Sequence, residues 1–230
     1  MTYTIIGHCR ETDRLGIGIA TYSLAVGGYC PHYRSGVGIV SSQAFVNPDL
    51  GGVALERLAS GSSVEDVMAE LGNNDAHFDY RQVGLVGIRG DAACFTGSAT
   101  RAWAGHVIGD GVAAFGNALS GERVVRAMAG EFAETVGKDL TERLMRSVEA
   151  GRAAGGQSGS GGGHLAERSA ALIVKASDLV PGLDLRVDVH DDAVTELRRI
   201  LEAYRPYVPY YEIRRTDPDQ TPPQEQWPPG

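Results

Sequence analysis

The order of its strand-like and helix-like segments is what most constrains the fold of this chain. Strand patterns come first and a pair of helical patterns follows; strands and a second helix pair come next, and strands and one helix close the series. A parallel βαβ fold would alternate single strands with single helices, and an all-β fold would lack the helices. The order therefore predicts an α+β protein whose antiparallel strands form two sheets, packed face to face with helices outside.

The first residues predict a β-hairpin. Residues 2–9 are rich in β-branched and aromatic side chains, residues 10–14 are polar turn material, and residues 15–21 alternate apolar with small side chains. The same alternation returns over residues 36–44 and predicts a third strand.

Glycine recurs inside and beside these strand patterns. The chain has 31 glycines among its 230 residues, and they include Gly16, Gly18, Gly36 and Gly38. A glycine in a strand often marks a place that another backbone or a ligand approaches closely. We therefore expect these four glycines to let the two sheets pack closely or to leave room for a ligand.

Two segments differ in composition from the rest. Residues 155–163 are mainly Gly and Ser, which predicts a flexible loop inside the fold. Seven of the ten prolines lie in residues 206–230, which predicts an extended C-terminal tail after a single domain of residues 1–205. Tyrosines between residues 204 and 211 would give this tail contact area for its own surface or for a partner subunit, and we expect a homo-oligomer.

Charge and hydropathy exclude several classes of protein. The chain has 29 acidic and 21 basic residues and a net charge of −8, so it lacks the basic face that nucleic acid requires. No apolar run approaches the roughly 18 residues of a membrane span, and the first residues lack the pattern of a signal peptide. With three cysteines and no CxxC spacing, the expected location is the cytoplasm, without contact to membrane or nucleic acid.

Sequence motifs for common cofactors are also absent. Gly16-Ile-Gly18 has no helix at the spacing that a dinucleotide requires, there is no Walker lysine, and GxSxG does not occur. The six histidines show no HExxH or similar pairing, although distant residues could still assemble a metal site. The sequence thus predicts no cofactor and no metal.

Thr2 is the residue whose chemistry stands out. It is small enough for the initiator Met to be removed, and its free α-amine would then lie beside its own hydroxyl. An amine with a pKa near 8 can take the hydroxyl proton, so that the oxygen attacks a carbonyl. The alternative is that Thr2 is simply a common second residue with no role in catalysis.

Short motifs in a fixed order extend over about residues 2–202. They are Thr2-Tyr-Thr-Ile-Ile, Leu24-Ala-Val-Gly27, Pro31-His32, Gly36-Val-Gly38, Gln43-Ala44, Asn47-Pro48, Arg81-Gln-Val-Gly84, Phe95-Thr-Gly97, Trp103-Ala-Gly-His106, Gly116-Asn117, Ala154-Gly-Gly156, Ser169-Ala-Ala-Leu172 and Asp184-Leu-Arg-Val-Asp-Val-His190. Together they resemble the domain of unknown function 1028, a bacterial family of the Ntn-hydrolase-like superfamily. The resemblance implies a four-layer αββα sandwich of two antiparallel sheets and an N-terminal nucleophile, and it leaves the substrate open.

Several side chains are candidates to act with Thr2. If the hairpin reverses near residue 12, Thr21 and Ser23 lie beside it and orient the amine or the substrate; an ordinary cross-strand Thr pair is the alternative. Asn117 ends a predicted strand and could donate to an oxyanion, or it could cap a turn. Gln43 closes a strand of small residues and could hold a substrate amide.

Three further residues have competing interpretations. Arg81 could bind a substrate carboxylate through a bidentate fork, or it could form a surface salt bridge. His106 could line a pocket wall, or it could be a buried, hydrogen-bonded histidine. Cys9 would support a Cys/His hydrolase as a rival mechanism, but strict alternation places it on the strand face opposite Thr2.

The sequence as a whole favours a cofactor-independent amidohydrolase. Thr2 would attack a small amide, ureido or lactam C–N bond, with Asn117 and a backbone N–H at the oxyanion. The alternative is a non-catalytic binding or assembly protein of the same fold that keeps Met1.

Overall fold

The computed structural model describes residues 1–176 and 182–227. The strands are β1 (Thr2–Cys9), β2 (Arg14–Thr21), β3 (Pro31–Arg34), β4 (Gly38–Ala44), β5 (Arg81–Gly87), β6 (Ala92–Thr96), β7 (Gly105–Gly109), β8 (Val112–Asn117), β9 (Gln157–Ser158), β10 (His164–Leu165), β11 (Ser169–Ala176) and β12 (Leu183–Val187). The helices are α1 (Asp49–Ala59), α2 (Val64–Asn74), α3 (Arg123–Glu134), α4 (Leu140–Ala153), α5 (Ala193–Tyr204) and α6 (Val208–Thr216).

Two antiparallel sheets form the centre of the fold. The six-stranded sheet has the order β12-β11-β2-β1-β8-β7, and the four-stranded sheet has the order β3-β4-β5-β6. The prediction of an α+β protein with two antiparallel sheets is confirmed at this level. A third sheet, which the sequence did not predict, is the short pair β9 and β10.

Alternation along β1 divides its side chains between two apolar cores. Tyr3 and Ile5 pack with side chains of α3, α4 and α5, whereas Ile6 packs with Ile39 and Val86 of the four-stranded sheet. Since successive side chains of a strand point to opposite faces, Thr2 and Thr4 share the face of Ile6. A third core lies on the far side of the four-stranded sheet, against α1 and α2.

The strand glycines allow close approach by a helix, and this corrects the expectation that they serve sheet contact. A Cβ added to Gly16 would lie 2.5 Å from Leu144 Cδ1, and one added to Gly18 would lie 2.6 Å from Val148 Cγ2. Both contacts are with α4, because these glycines occupy the helix-facing side of β2. Gly84 has the role that was expected of them, since its missing side chain makes room for the Phe115 ring of the other sheet.

The structure differs from the prediction in part of the Gly/Ser segment. This segment contains strand β9, where Gln157 is fully buried and its Oε1 accepts a hydrogen bond from Tyr22 N at 2.7 Å. Its pairing with β10 and the bond from Ser158 N to Ala118 O hold the start of the expected flexible loop in place. The short strand β3 was also missed, because it begins with proline.

The C-terminal segment is not extended, because it contains helix α6. Pro209 lies in the first turn, where a helix does not need its missing N–H. Tyr210 is 4% exposed and donates from its hydroxyl to Pro222 O. Trp227 Nε1 donates to Pro206 O at 3.0 Å, so the segment folds back on itself. Residues 228–230, part of the predicted tail, lie outside the described residues.

Among the described residues, no helix has the length and apolar character that crossing a membrane requires.

Candidate active site at the start of the first strand

Thr2 lies in the middle of the six-stranded sheet, between two neighbouring strands. The register pairs it with Thr21 of β2 and with Asn117 of β8. The hairpin count predicted the first pairing, and the structure confirms it. The side chains of this row face the four-stranded sheet, and Thr2 is only 5% exposed.

The hydrogen bonds of Thr21 fix where the hydroxyl proton of Thr2 points. Thr21 Oγ1 donates its one proton to Met1 O, and it accepts from Ser23 N at 3.3 Å. Thr2 Oγ1 lies 3.1 Å from Thr21 Oγ1. Since the Thr21 proton is already used, Thr2 must be the donor of this bond. Thr21 therefore contacts both the hydroxyl of Thr2 and the carbonyl attached to the Thr2 nitrogen.

A buried chain of amides connects this row to the other sheet. Gln82 Nε2 lies 2.8 Å from Gly116 O and 3.2 Å from Gly105 O, which can only accept, so its Oε1 must face the opposite way. That Oε1 accepts from Gln43 Nε2 at 2.8 Å and from Asn117 Nδ2 at 3.0 Å.

The same logic assigns the rest of the chain. With its nitrogen bound to Gln82, Gln43 presents Oε1 to Thr4, which donates at 2.6 Å. Asn117 uses one N–H for Gln82 and has a second, since a carboxamide carries two donors. A role of Asn117 at an oxyanion stays a prediction.

Sequence reasoning missed Gln82 and Thr4. Gln82 occupies the same face of β5 as Gly84 and Val86, so period-two alternation could have placed it between the sheets. Its contact with Asn117 joins strands of two different sheets, and no local pattern predicts such a contact.

Arg81 and His106 make other contacts than those expected at Thr2. Arg81 Nε lies 2.9 Å from Asp75 Oδ2, and Arg81 holds the pKa of that carboxyl down at about 2. His106 Nδ1 lies 2.9 Å from Thr96 Oγ1, which also accepts from Gln82 Nε2. A substrate role for either side chain stays a prediction. Ser23 contributes its backbone N–H to the Thr21 hydroxyl, and its side chain is exposed.

The N-terminal amine lies in a setting that disfavours its charge. Burial, and secondarily the positive charge of Arg101, lower the pKa of the Met1 amine to about 6. Burial raises the pKa of the nearby Cys30 thiol to about 12, so this thiol remains protonated at neutral pH. Cys9 packs against the helix-side core, on the face opposite Thr2 as predicted.

Two cavities have linings that do not include Thr2. One of about 460 Å³ is lined by Arg152, His164 and Thr195, among others, and one of about 560 Å³ by residues that include Leu183 and Tyr204. Among residues 1–176 and 182–227, no group of three His, Cys, Asp or Glu side chains is arranged to hold a metal ion.

Comparison with known proteins identifies the family. The model described as a family of unknown function (DUF1028) matches residues 2–197. The crystal structure of protein SPO2555 from Silicibacter pomeroyi, also assigned to DUF1028, is 30% identical, covers 88% of each chain and has a TM-score of 0.80. A search of curated proteins finds no match. The chain therefore belongs to the DUF1028 family of unknown function.

Proposed function

We propose that this protein is an Ntn-type amidohydrolase whose nucleophile is the hydroxyl of Thr2. Removal of Met1 would convert the Thr2 nitrogen into a free amine. Three apolar cores support the assignment of an Ntn-type fold. One core lies between the two antiparallel sheets, and each of the other two lies between a sheet and its helices. The first residue of the central strand β1 then lies at the end of the space between the sheets, where an N-terminal nucleophile would act.

The observation that carries the proposal is the position of Thr21. Its hydroxyl contacts Thr2 Oγ1 and also the carbonyl oxygen of Met1. That carbonyl belongs to the peptide bond between Met1 and Thr2, so Thr21 lies close to the nitrogen that would become the free amine. Once Met1 leaves, the Thr21 proton loses its acceptor and becomes available to bind the new amine. Thr21 then connects the nucleophile to its base, and a proton can move from Thr2 Oγ1 through Thr21 to the amine.

The reaction follows from this arrangement. Thr2 Oγ1 attacks the carbonyl carbon of a small amide, ureido or lactam substrate, and its proton passes to the amine. The negative oxygen of the tetrahedral intermediate accepts the free N–H of Asn117. The C–N bond breaks as the ammonium returns its proton to the leaving nitrogen, and an ester on Thr2 remains. Water, deprotonated by the same amine, attacks this ester and releases the acid, which regenerates Thr2.

A second candidate is a binding or assembly protein that keeps Met1. The observation that favours it is the burial of Thr2, which is 5% exposed while Thr21 is hydrogen-bonded to the Met1 carbonyl. In this form the hydroxyl has no base beside it and little access to a substrate.

Intact mass and activity together separate the two candidates. The protein should lose the mass of one Met, hydrolyse a member of a panel of amides, ureido acids and lactams, and lose that activity in Thr2→Ala. Thr12→Ala, in the exposed β1–β2 turn, is the matched control and should remain fully active. Periodate cleaves a 1,2-amino alcohol, so it should modify the N-terminus of the wild type and leave Thr2→Ala unchanged.

Three outcomes would reject the hydrolase. They are active protein that retains Met1, full activity in Thr2→Ala, and wild-type protein whose amine is blocked and resists periodate.

A further inference from the structure

Two arginines flank the row that contains Thr2. Ala118, which follows Asn117, donates its N–H to Arg101 O at 2.8 Å. On the other side, Arg168 donates its own N–H to Thr21 O, also at 2.8 Å. These backbone bonds place one arginine beside β8 and the other beside β2, and Thr2 lies between those strands on β1.

Each guanidinium lies over an exposed aromatic ring. Arg101 Cζ is 5.9 Å from the centre of the Phe45 ring, and Arg168 Cζ is 5.2 Å from that of Tyr22. Phe45 is 45% exposed and Tyr22 is 36% exposed. A cation–π contact of this kind restrains the guanidinium, and its N–H groups can still donate hydrogen bonds.

Neither guanidinium has a carboxylate partner within the part of the chain that the structure describes. The arginines at 81, 146 and 198 contact Asp or Glu oxygens at 2.5–2.9 Å, whereas Arg34, Arg89 and Arg214 likewise have no carboxylate partner among the described residues. What distinguishes Arg101 and Arg168 is therefore their position beside the row that contains Thr2. In a chain with a net charge of −8, two arginines without a carboxylate partner thus lie beside the strands that neighbour β1, and they add positive charge at the end of the sheet where Thr2 lies. Arg101 also acts on the N-terminus, because its charge contributes to the lowered pKa of the Met1 amine.

We propose that Arg101 and Arg168 bind substrate carboxylates, so that the compound cleaved at Thr2 is an acidic amide or ureido compound. N-acyl and N-carbamoyl amino acids have this chemistry. A guanidinium binds a carboxylate through two parallel N–H···O bonds, which also fix its orientation. The rings of Tyr22 and Phe45 would cover the apolar part of the substrate. Arg81, expected from the sequence to bind this group, is already paired with Asp75.

This inference depends on the proposed function, and binding tests it without catalysis. In Thr2→Ala protein, which cannot form the ester, binding of N-acetylphenylalanine and of its neutral amide, N-acetylphenylalaninamide, is measured by NMR titration. The two probes differ only in the carboxylate. We expect the acid to bind at least about tenfold more tightly, which is the discrimination of one charge-assisted pair.

The variants identify the groups responsible. Arg101→Gln and Arg168→Gln should each reduce the preference for the acid, and the double variant should remove it. Arg214→Gln, which changes an exposed arginine on α6, should leave it unchanged. Equal binding of the two probes, binding of neither, or a preference that survives in the double variant would overturn the proposal.

These results are independent of those for the hydrolase. Wild-type protein that prefers the acid but hydrolyses nothing would reject the Thr2 mechanism and keep the anion site. Hydrolysis of neutral amides at a rate that the arginine variants do not change would keep the Thr2 mechanism and reject the anion site.

Discussion

The hydroxyl of Thr21 is the residue-scale feature that the mechanism depends on most. Thr21→Val keeps the shape of the side chain but removes the group between Thr2 Oγ1 and the amine. We expect kcat to fall by about 100-fold, the lower range for a lost proton transfer, with little change in KM. Thr21→Ser should keep most of the activity, and circular dichroism should show that both variants fold. A Val variant with normal kcat would mean that the proton takes another path.

The N-terminal amine gives a prediction on pH. In protein that retains Met1, the amine should titrate near pH 6 rather than at its usual value of 8.0, because burial and then the charge of Arg101 disfavour the ammonium. Between these values only the unfolded chain binds the proton, so stability should decrease as the pH falls from 8 to 6 and level off below. NMR of the ¹³C-dimethylated amine measures the pKa directly. Arg101→Gln should raise it, whereas titration near 8 in the wild type would contradict the buried position.

Gln82 should matter for stability out of proportion to its size. Gln82→Leu removes the acceptor that the buried Gln43 and Asn117 N–H groups use and the donor to the Gly116 carbonyl. At about 1–3 kcal/mol for each such group, we expect a loss of at least about 3 kcal/mol in urea unfolding. The exposed Gln224→Leu is the control and should change stability by less than about 0.5 kcal/mol. Similar stability of the two variants would show that the amide chain contributes nothing.

These residues also show what the sequence could predict about the site. Thr21 was found by counting along one hairpin, and Asn117 by the end of a strand that the register then paired with Thr2. Gln82 escaped because its partners come from two sheets and four strands, and that assembly exists only after the sheets have packed.

At the scale of elements, α4 lies close to β2 because Gly16 and Gly18 have no side chain to keep the helix away. Gly18→Ala would place a Cβ 2.6 Å from Val148 Cγ2 and 3.2 Å from the Leu144 carbonyl oxygen, so the helix has to shift. We expect a loss of about 1–3 kcal/mol, as for other overpacked cores.

The matched control for this change is Gly130→Ala in α3, where no atom lies within 4 Å of the added Cβ. Alanine favours a helix over glycine, so this variant should gain up to about 1 kcal/mol. Thermal unfolding of the two proteins should therefore move in opposite directions. Movement in the same direction would remove the role assigned to Gly18.

Pattern reasoning succeeded for elements with a clear period. The strands and helix pairs follow one another in the predicted order, and Ser63 caps α2 by accepting from Asp66 N at 3.1 Å. It failed for β3 and α6, where prolines obscured a strand and a helix. It also assigned Gly16 and Gly18 to the wrong neighbour, because periodicity shows that two residues share a face and not what packs on it.

At the scale of the molecule, the C-terminal segment is an addition to the fold rather than its support. The family match ends at residue 197, and α6 follows it. A chain that ends at Arg205 should unfold in one cooperative transition, with Tm lower by about 3–10 °C because Leu201 and Tyr204 lose cover. Trp227→Phe removes the hydrogen bond to Pro206 and reduces the ring contact with Tyr210, and it should lower Tm less. Failure of the shortened chain to fold would mean that the segment belongs to the core.

The overall architecture was easier to predict from the sequence than the structure of the C-terminal segment. The order of segments identified two antiparallel sheets with helices, since few arrangements accommodate that order. Composition alone suggested an extended tail, because a count of prolines says nothing of the burial of Tyr210 or of the hydrogen bond from Trp227 to Pro206.

The chain of Thr4, Gln43, Gln82 and Asn117 has one more consequence. None of these four side chains gains or loses a proton in the range where proteins are handled. These four side chains would thus keep the same charge and the same hydrogen-bond donors and acceptors across that pH range. A bend in a pH–rate profile of this protein would then report protons at the nucleophile, its amine and the substrate, or at His106, which contacts the amide chain through Thr96.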